Sequence, residues 1–319
     1  MIRVFELATA ENFFEIGYLM ANPDVDQFAE QSGHTGRFHY DNYGYREGRR
    51  QFTAEFVSSR DQSNKEKYYR FRDFFKSDVE FSWLKEPGRF PISSSSKFFS
   101  TDDYAGGESA NGSLSDFVID IQNNPAKNFI DIGCGLRDEI YENCLYIEVY
   151  PSVCADLVVA PDCRYPLNDR SIDGVSCGSV LEHVTQPWAV VDEIHRILKP
   201  GGHCYIDWPF LQPVHGSPNH YYNATREGLR LFFADRFTIA RLDSHDFQTP
   251  EFSLHWLLER FAAEISDPRL NEQFRKMSVE ELLAHPASEA AFWKPIVNTL
   301  STSAAEALAC GNYLIATKN

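Results

Sequence analysis

An acidic residue and two glycines follow a short apolar run near the middle of the chain. The run Asn128–Gly135 reads NFIDIGCG, which places Asp131 near the end of a predicted strand and Gly133 and Gly135 in the turn after it. Glycine lacks a Cβ and adopts positive φ, so main-chain groups can approach a ligand closely there. Open α/β sheets bind ligands at the carboxyl ends of their strands. We therefore predict a ligand site at this turn.

The strand with its DIGCG turn resembles the first motif of class I S-adenosylmethionine-dependent methyltransferases, and more narrowly a methyltransferase-11-like domain. Three later segments resemble further motifs of that family in the same order: DCRYPL at 162–167, SIDGVSCGSVLEHV at 171–184 and RILKPGGHCYI at 196–206. The resemblance implies S-adenosylmethionine as cofactor, with Glu148 at the ribose hydroxyls and Asp162 and Cys163 at the adenine. The cofactor-binding residues that it implies are Asp131, Gly133, Cys134, Gly135, Glu148, Asp162, Cys163, Cys177 and Gly178.

One position departs from the family pattern. The family often has a third glycine two positions after Gly135, where this chain has Arg137. Only about a dozen residues separate Gly135 from Glu148, so the first crossover helix must be short or distorted. We expect Arg137 and Asp138 to form surface ion pairs.

A histidine-rich segment follows the fifth predicted strand and offers groups for acid–base chemistry. Methyl transfer is an in-line displacement, and a base becomes valuable when the acceptor is a hydroxyl that must lose its proton. The segment Phe210–Leu229 contains the candidate catalytic residues His215, His220 and Tyr221. Either histidine is a candidate general base, and the tyrosines would shape the acceptor site. The structural alternative is that the histidines cap turns or bridge backbone groups around Pro213 and Pro218.

His183 and a metal site are weaker candidates. His183 lies where a helix starts after the fourth strand, and such positions are often structural. The following side chains could supply metal ligands: Asp207, His215, His220, Asp243 and Asp246. Their spacing is not diagnostic of a metal site, and we predict that no metal is required.

Short apolar runs alternate with helical patterns downstream of residue 110, as in a parallel sheet with crossover helices. The predicted fold is α/β, a doubly wound, mostly parallel seven-stranded sheet of the Rossmann-like methyltransferase type. The predicted strands are Phe129–Ile132, Leu145–Val149, Leu157–Val159, Gly174–Cys177, His203–Trp208, Phe237–Leu242 and Tyr313–Thr317. The predicted helices are Ser115–Asn123, Pro187–Leu198 and Arg226–Phe233, with mostly helical sequence over Phe252–Leu308.

A passage rich in Ser, Gly and Asp, Asp102–Ser115, marks a predicted boundary. Residues 1–110 form an N-terminal extension, which we interpret as a substrate-binding segment or lid. Residues 111–319 form the cofactor-binding domain, with a helical insertion over about 250–309. Within the extension, the aromatic stretch Arg37–Arg50 could line a sugar or aromatic ligand site, although a packed loop is the commoner outcome.

The amino-acid composition limits the kinds of molecule that the protein can bind and the compartment in which it is expected. The net charge of −16 argues against nucleic acid, whose binding requires clustered cations. The seven cysteines form no CxxC pair, which favours reduced thiols and a cytoplasmic location. The first twenty residues resemble neither a signal peptide nor a membrane span. A small-molecule acceptor is therefore expected, and a homodimer is one option for assembly.

We predict a small-molecule methyltransferase, most simply an O-methyltransferase of a sugar, glycan precursor or secondary metabolite. Two alternatives stay open. The same fold and cofactor could support chemistry without methyl loss, because a sulfonium can stabilise an anionic transition state. The chain could also be a non-catalytic interaction subunit, although the joint presence of Asp131, Glu148 and Asp162 argues for a working site.

Overall fold

The computed structural model describes residues 1–79, 81–83, 91–93, 112–160, 164–216 and 219–310. Its strands are β1 (Ile2–Arg3), β2 (Phe5–Leu7), β3 (Arg50–Phe52), β4 (Phe81–Trp83), β5 (Pro91–Ser93), β6 (Phe129–Ile132), β7 (Glu139–Ile140), β8 (Cys144–Glu148), β9 (Leu157–Val158), β10 (Ile172–Gly178) and β11 (Leu198–Asp207). Its α-helices are α1 (Glu15–Ala21), α2 (Pro23–Ser32), α3 (Gly36–His39), α4 (Tyr45–Glu47), α5 (Ala54–Phe71), α6 (Ser115–Asn123), α7 (Pro187–Ile197), α8 (Arg226–Phe233), α9 (Pro250–Glu264), α10 (Pro268–Lys276), α11 (Val279–Ala284), α12 (Ala290–Val297) and α13 (Thr302–Ala307). None of the helices in these ranges is both long enough and apolar enough to cross a bilayer.

Five parallel strands form the centre of the main sheet, in the order β11-β10-β6-β8-β9. The strand order reverses between β6 and β10, which makes their carboxyl ends the topological switch point of the sheet. The predicted α/β class and mostly parallel sheet are confirmed. The two further strands of the sheet are β5, parallel to β9, and β4, antiparallel to β5. They come from the N-terminal part of the chain, whereas the sequence predicted Phe237–Leu242 and Tyr313–Thr317 as the last two strands.

The central strands form where the chain is continuously apolar. Every residue of β6 and of β8 is buried, as expected for parallel strands that are covered on both faces. The register places Asp131 between Ser176 of β10 and Tyr146 of β8. The polar Asp131 is therefore held inside an apolar sheet and needs a partner within it.

Of the two predicted C-terminal strands, one is not formed and the other lies outside the described residues. The segment Phe237–Leu242 contains no strand, and the prediction is wrong there. The Phe237 amide instead donates to the Phe233 carbonyl oxygen at 2.8 Å, and their rings lie 5.5 Å apart, so the segment packs against the end of α8. The predicted strand Tyr313–Thr317 and most of the predicted boundary passage Asp102–Ser115 lie outside the described residues.

The N-terminal segment covers the sheet where a crossover helix is missing. No helix lies between β6 and β8, both of which are fully described, and the short strand β7 in that interval pairs with β1. Helix α5 buries one stripe of side chains, namely Phe56, Arg60, Ser63, Asn64, Lys67 and Phe71. Counted from Phe56, these residues lie at i, i+4, i+7, i+8, i+11 and i+15, which places all of them on one helix face.

The polar part of this stripe converges on Asp156, which is fully buried. Arg60 Nη1 and Lys67 Nζ each lie 2.9 Å from a different carboxylate oxygen of Asp156, and the Tyr146 amide donates to it at 3.0 Å. Burial alone would raise the pKa of Asp156, but Lys67 and Arg60 hold that pKa below its usual value. The network ties α5 to the strands β8 and β9.

The chain divides into two compact units, Met1–Trp208 and Pro209–Asn319. The boundary predicted near residue 110 does not separate them, because α5 and β1 belong to the same unit as the parallel sheet. The interpretation of residues 1–110 as a lid or substrate-binding segment stays a prediction. The second unit contains the predicted helical segment, which forms α9 to α13.

Candidate functional site

The glycine turn after β6 contacts two other parts of the sheet, the strand β8 and the loop after β10. Gly133 and Gly135 have φ values of +67° and +49°, a region that favours glycine. The amides of Gly133 and Cys134 both donate to the Ile147 carbonyl oxygen, at 2.9 and 3.1 Å. A Cβ on Gly133 would lie 2.1 Å from Val180 Cγ2. The first glycine is thus required by the close approach of the loop after β10, and its predicted contact with a cofactor stays a prediction.

Glu148 ends β8 beside this turn and is buried. Its Oε2 accepts the Gly135 amide at 2.9 Å, and its Oε1 accepts the Val149 amide at 2.8 Å. Burial raises the pKa of Glu148 to about 7, and the two amides oppose that rise. Each carboxylate oxygen can accept two hydrogen bonds, so each has a further acceptor position for a hydroxyl donor.

Arg137 forms a buried ion pair, and the expectation of a surface pair is wrong for this residue. Its Nε lies 2.7 Å from Asp131 Oδ2 and its Nη2 lies 3.2 Å from Asp131 Oδ1. The side chains are 2% and 1% exposed. The polar Asp131 inside the sheet attracts the guanidinium inward, because a buried carboxylate requires a compensating charge. Asp138 does form an exposed pair, with Arg50.

The loop after β10 contains an acidic residue that sequence reasoning missed. Glu182 is 0% exposed, and neither of its carboxylate oxygens has a hydrogen-bond partner among the residues that the structure describes. Burial raises its pKa to about 8. His183 Nε2 lies 3.7 Å from Glu182 Oε1. His183 was considered as a candidate in the LEHV sequence, but no sequence pattern indicated that the side chain of Glu182 is buried.

The same loop is fixed by a backbone conformation that is rare outside glycine. Ser179 has φ of +54°. Its amide donates to the Asp207 carbonyl oxygen at 3.0 Å, and its hydroxyl donates to Asp207 Oδ2 at 2.9 Å. Such conformations persist only where the surroundings determine them, and they cluster at functional sites. Ser179 and Asp207 are therefore part of the candidate site at the end of β10.

The remaining predicted cofactor contacts fall into two groups. Cys134 and Cys177 are fully buried, and burial raises the pKa of both thiols well above the usual value, so neither is a reactive thiolate. Gly178 is half-buried at the end of β10. Asp162 and Cys163, the predicted adenine contacts, lie outside the described residues.

The histidine-rich segment belongs to the second unit. The rings of His215 and His220 lie 4.5 Å apart and nearly perpendicular, so the structure brings these two predicted residues together. His215 Nδ1 lies 3.0 Å from the Pro213 carbonyl oxygen. His220 Nδ1 accepts the His215 amide at 3.4 Å, and its Nε2 lies 2.6 Å from Asn223 Oδ1. Tyr221 is exposed.

These contacts assign the tautomers of the two rings. A carbonyl oxygen only accepts, so His215 carries its proton on Nδ1 and its basic lone pair on Nε2. His220 accepts at Nδ1, so it donates from Nε2. The bridge from His215 to the Pro213 carbonyl is the contact that the structural alternative predicts, and it leaves the basic nitrogen on the opposite side of the ring.

Comparison with known proteins identifies the central region. Residues 130–206 match a family model described as a methyltransferase domain. An uncharacterized methyltransferase of Mycobacteroides abscessus is 35% identical over 65 residues, which are 19% of this chain and 25% of the relative. The chain thus spans about a quarter of the length of that curated relative.

Two solved structures are similar to parts of the chain. A SAM-dependent methyltransferase from Aquifex aeolicus is 15% identical, with a TM-score of 0.26 over 34% of this chain and 71% of the other. A Haemonchus contortus phosphoethanolamine N-methyltransferase, solved with phosphomonomethylethanolamine and S-adenosylhomocysteine, is 19% identical, with a TM-score of 0.31 over 56% of this chain and 47% of the other.

Proposed function

We propose that the whole chain methylates a small molecule. Residues 130–206 carry a class I S-adenosylmethionine-dependent methyltransferase domain. The observation that carries the proposal is the placement of Asp131, Glu148 and the turn at Gly133–Gly135 at the carboxyl ends of two adjacent parallel strands. Open α/β sheets bind their ligands there.

The residues present fit the cofactor of this domain family. Glu148 is a buried carboxylate with a further acceptor position on each oxygen, which suits the two neighbouring hydroxyls of a ribose. When bound, S-adenosylmethionine supplies a methyl group on a positively charged sulfur. The chain's own residues would bind the ribose at Glu148 and the adenine at Asp162 and Cys163. Cys134, Cys177 and Gly178 would line the same cleft through their backbones.

The acceptor is proposed to be a hydroxyl of a sugar, glycan precursor or secondary metabolite. The charge of −16 supports a small acceptor over a nucleic acid. A hydroxyl must lose its proton as it attacks, and a histidine with its lone pair directed to the acceptor can take that proton. His215 is the proposed base, because its Nε2 is the basic nitrogen. His220 positions the segment through Asn223, and Tyr221 is proposed to contact the acceptor.

The cytoplasm is the proposed location of the protein. The six described cysteines are all free thiols, which supports a reducing compartment such as the cytoplasm. A homodimer stays the proposed alternative to a monomer.

Calorimetric titration with S-adenosylmethionine and S-adenosylhomocysteine tests the cofactor site. The proposal expects binding by the wild type and its loss in a Glu148→Ala, Asp162→Ala double variant. Glu142→Ala is the matched control, since Glu142 is an exposed carboxylate on the same unit. A wild type that binds neither nucleoside would remove the basis of the proposal.

An acceptor screen then tests the chemistry. Sugars and hydroxylated metabolites are incubated with S-adenosylmethionine, and S-adenosylhomocysteine and methylated product are both measured. Equal amounts of the two support methyl transfer. Product without S-adenosylhomocysteine would instead support the alternative in which the cofactor is retained.

A further inference from the structure

The loop after β10 contains a short turn that places a carboxylate and an imidazole side by side. A 3-10 turn spans Leu181–His183, and its first residue, Leu181, is fully buried. The His183 amide donates to the Val180 carbonyl oxygen at 2.9 Å. The loop therefore fixes the backbone positions from which the side chains of Glu182 and His183 extend.

Glu182 carries a buried carboxyl group that needs a partner. It is 0% exposed, and neither oxygen accepts a hydrogen bond from the residues that the structure describes. Buried polar groups are nearly always paired, and an exception points to a bound water, ion or ligand. Asp207 makes a negative charge here less favourable still, because it raises the pKa of Glu182. The loop Gly178–Gln186 contains no lysine or arginine that could compensate that charge.

The distance between the two side chains suits two ligands of one metal ion. His183 Nε2 lies 3.7 Å from Glu182 Oε1, which is too long for a hydrogen bond. Two ligands that each lie about 2.0–2.2 Å from an ion are about 3–4 Å from each other. The His183 side chain is 25% exposed, so the pair is accessible to an ion from the solvent on the side of the imidazole.

The two donor atoms indicate the class of ion. Mg²⁺ and Ca²⁺ prefer oxygen ligands alone, whereas Mn²⁺, Fe²⁺ and Zn²⁺ accept both a carboxylate oxygen and an imidazole nitrogen. Two protein ligands also leave coordination positions open, which is typical of catalytic sites and not of structural ones.

We propose that Glu182 and His183 bind a divalent first-row metal ion in the loop after β10. This differs from the prediction that no metal is required, which could not take account of the burial of Glu182. The binding of the ion does not depend on the proposed function, but its use does. The proposed cofactor lies at the same edge of the sheet, where the open positions of the ion would orient oxygen atoms of the acceptor.

Electron paramagnetic resonance with Mn²⁺ tests the site without an acceptor. Free aquated Mn²⁺ gives a strong signal in solution at room temperature, and the signal falls when the ion binds to the protein. The titration is performed on chelator-treated wild type, Glu182→Gln and His183→Gln. Glu142→Gln is the matched control, because Glu142 is an exposed carboxylate in the same unit. Salt at about 0.15 M screens weak binding to the acidic surface.

The wild type should bind Mn²⁺ at a single site. Loss of either ligand should weaken that binding by about tenfold or more, and Glu142→Gln should bind Mn²⁺ as the wild type does. Zn²⁺ should displace Mn²⁺, because it binds mixed nitrogen and oxygen sites more tightly. Mg²⁺ at the same concentration should not.

A spectroscopic signature separates a ligand from a residue that only supports the loop. Pulsed measurements on the bound Mn²⁺ should show coupling to an imidazole nitrogen in the wild type and in Glu142→Gln. In His183→Gln that coupling should be absent even when enough Mn²⁺ is added to saturate the protein. The wild-type spectrum is informative on its own, so the test does not depend on the folding of a variant.

The outcomes separate this inference from the proposed function. Equal Mn²⁺ affinity in the wild type and Glu182→Gln, or bound Mn²⁺ without a nitrogen ligand, would place the ion on surface acids and refute the site. Nitrogen coupling that persists in His183→Gln would refute the role of His183. A wild type that binds Mn²⁺ at this site but no S-adenosylhomocysteine would confirm the metal site and remove the proposed function.

Discussion

Glu182 should make the stability of the first unit depend on pH in a predictable direction. Its carboxyl group is completely buried, and neither oxygen has a hydrogen-bond partner among the described residues. In the unfolded chain the group titrates at its ordinary pKa of 4.5, whereas in the folded chain burial raises that pKa to about 8. The folded state therefore holds the proton more tightly than the unfolded state does.

The sign and size of the effect follow from that difference. The unfolded chain loses its proton first as pH rises, so stability is fully present below pH 4.5 and is lost progressively up to pH 8. Each pKa unit corresponds to about 1.4 kcal/mol. Between about pH 5.5 and about pH 7.5 the free energy of unfolding should fall by about 2.5 kcal/mol on account of this group alone.

Glu182→Gln removes the titration while keeping the shape of the side chain. Glu148 also has a raised pKa and contributes with the same sign, so the quantity to compare is the difference between wild type and variant at each pH. Urea-dependent hydrogen exchange of peptides from β10 reports the unit that contains Glu182, after correction for the intrinsic exchange rate. Glu142→Gln, an exposed carboxylate in the same unit, is the matched control.

The wild type should lose protection relative to Glu182→Gln as pH rises, and Glu142→Gln should follow the wild type. Parallel pH dependences in the wild type and Glu182→Gln would refute the reasoning, since they would mean that Glu182 is solvated or paired in the folded protein. A ligand that donates a hydrogen bond to the Glu182 carboxylate should reduce the dependence in the wild type only.

Three further perturbations test the fold and the site. Asp156→Asn removes the charge that compensates two buried cations of α5, and urea denaturation should show a loss of about 3–5 kcal/mol. Gly133→Ala places a Cβ 2.1 Å from Val180 Cγ2 at φ +67°, so it should cost about 1–3 kcal/mol in the same assay. Val180→Ala should restore part of that loss, and no recovery would locate the strain elsewhere. His215→Ala should lower turnover by about 100-fold or more with unchanged cofactor affinity, and near-normal turnover would exclude it as the base.

The parallel sheet and the acidic strand ends of the candidate site were predictable because their signals are local. The runs at Phe129–Ile132 and Cys144–Glu148 are apolar throughout, and an acid followed by glycines marks a strand end wherever the rest of the chain lies. The positions of Asp131 and Glu148 on these strands could therefore be located from sequence alone, and their contacts with a cofactor stay a prediction.

The residues that were missed depend on contacts between distant parts of the chain. The buried stripe of α5 contains Arg60, Asn64 and Lys67, so it does not read as an apolar helix face. Its burial depends on Asp156, which lies 89 to 96 residues away in sequence. In the sequence Arg137 likewise resembles a surface residue, because the burial of its partner Asp131 depends on how the sheet is assembled. A buried charged side chain whose partner is distant in the sequence leaves no periodic hydrophobic pattern from which its burial could be predicted.

The docking of α5 has a consequence for how this catalytic module is delimited. The region that matches the family model starts at residue 130, yet two of the ionic partners of its Asp156 lie in a helix that ends at Phe71. A fragment cut at the edge of the match would keep all the strand-end acids and lose the cations that neutralise Asp156. The smallest autonomous folding unit is therefore larger than the region defined by sequence similarity.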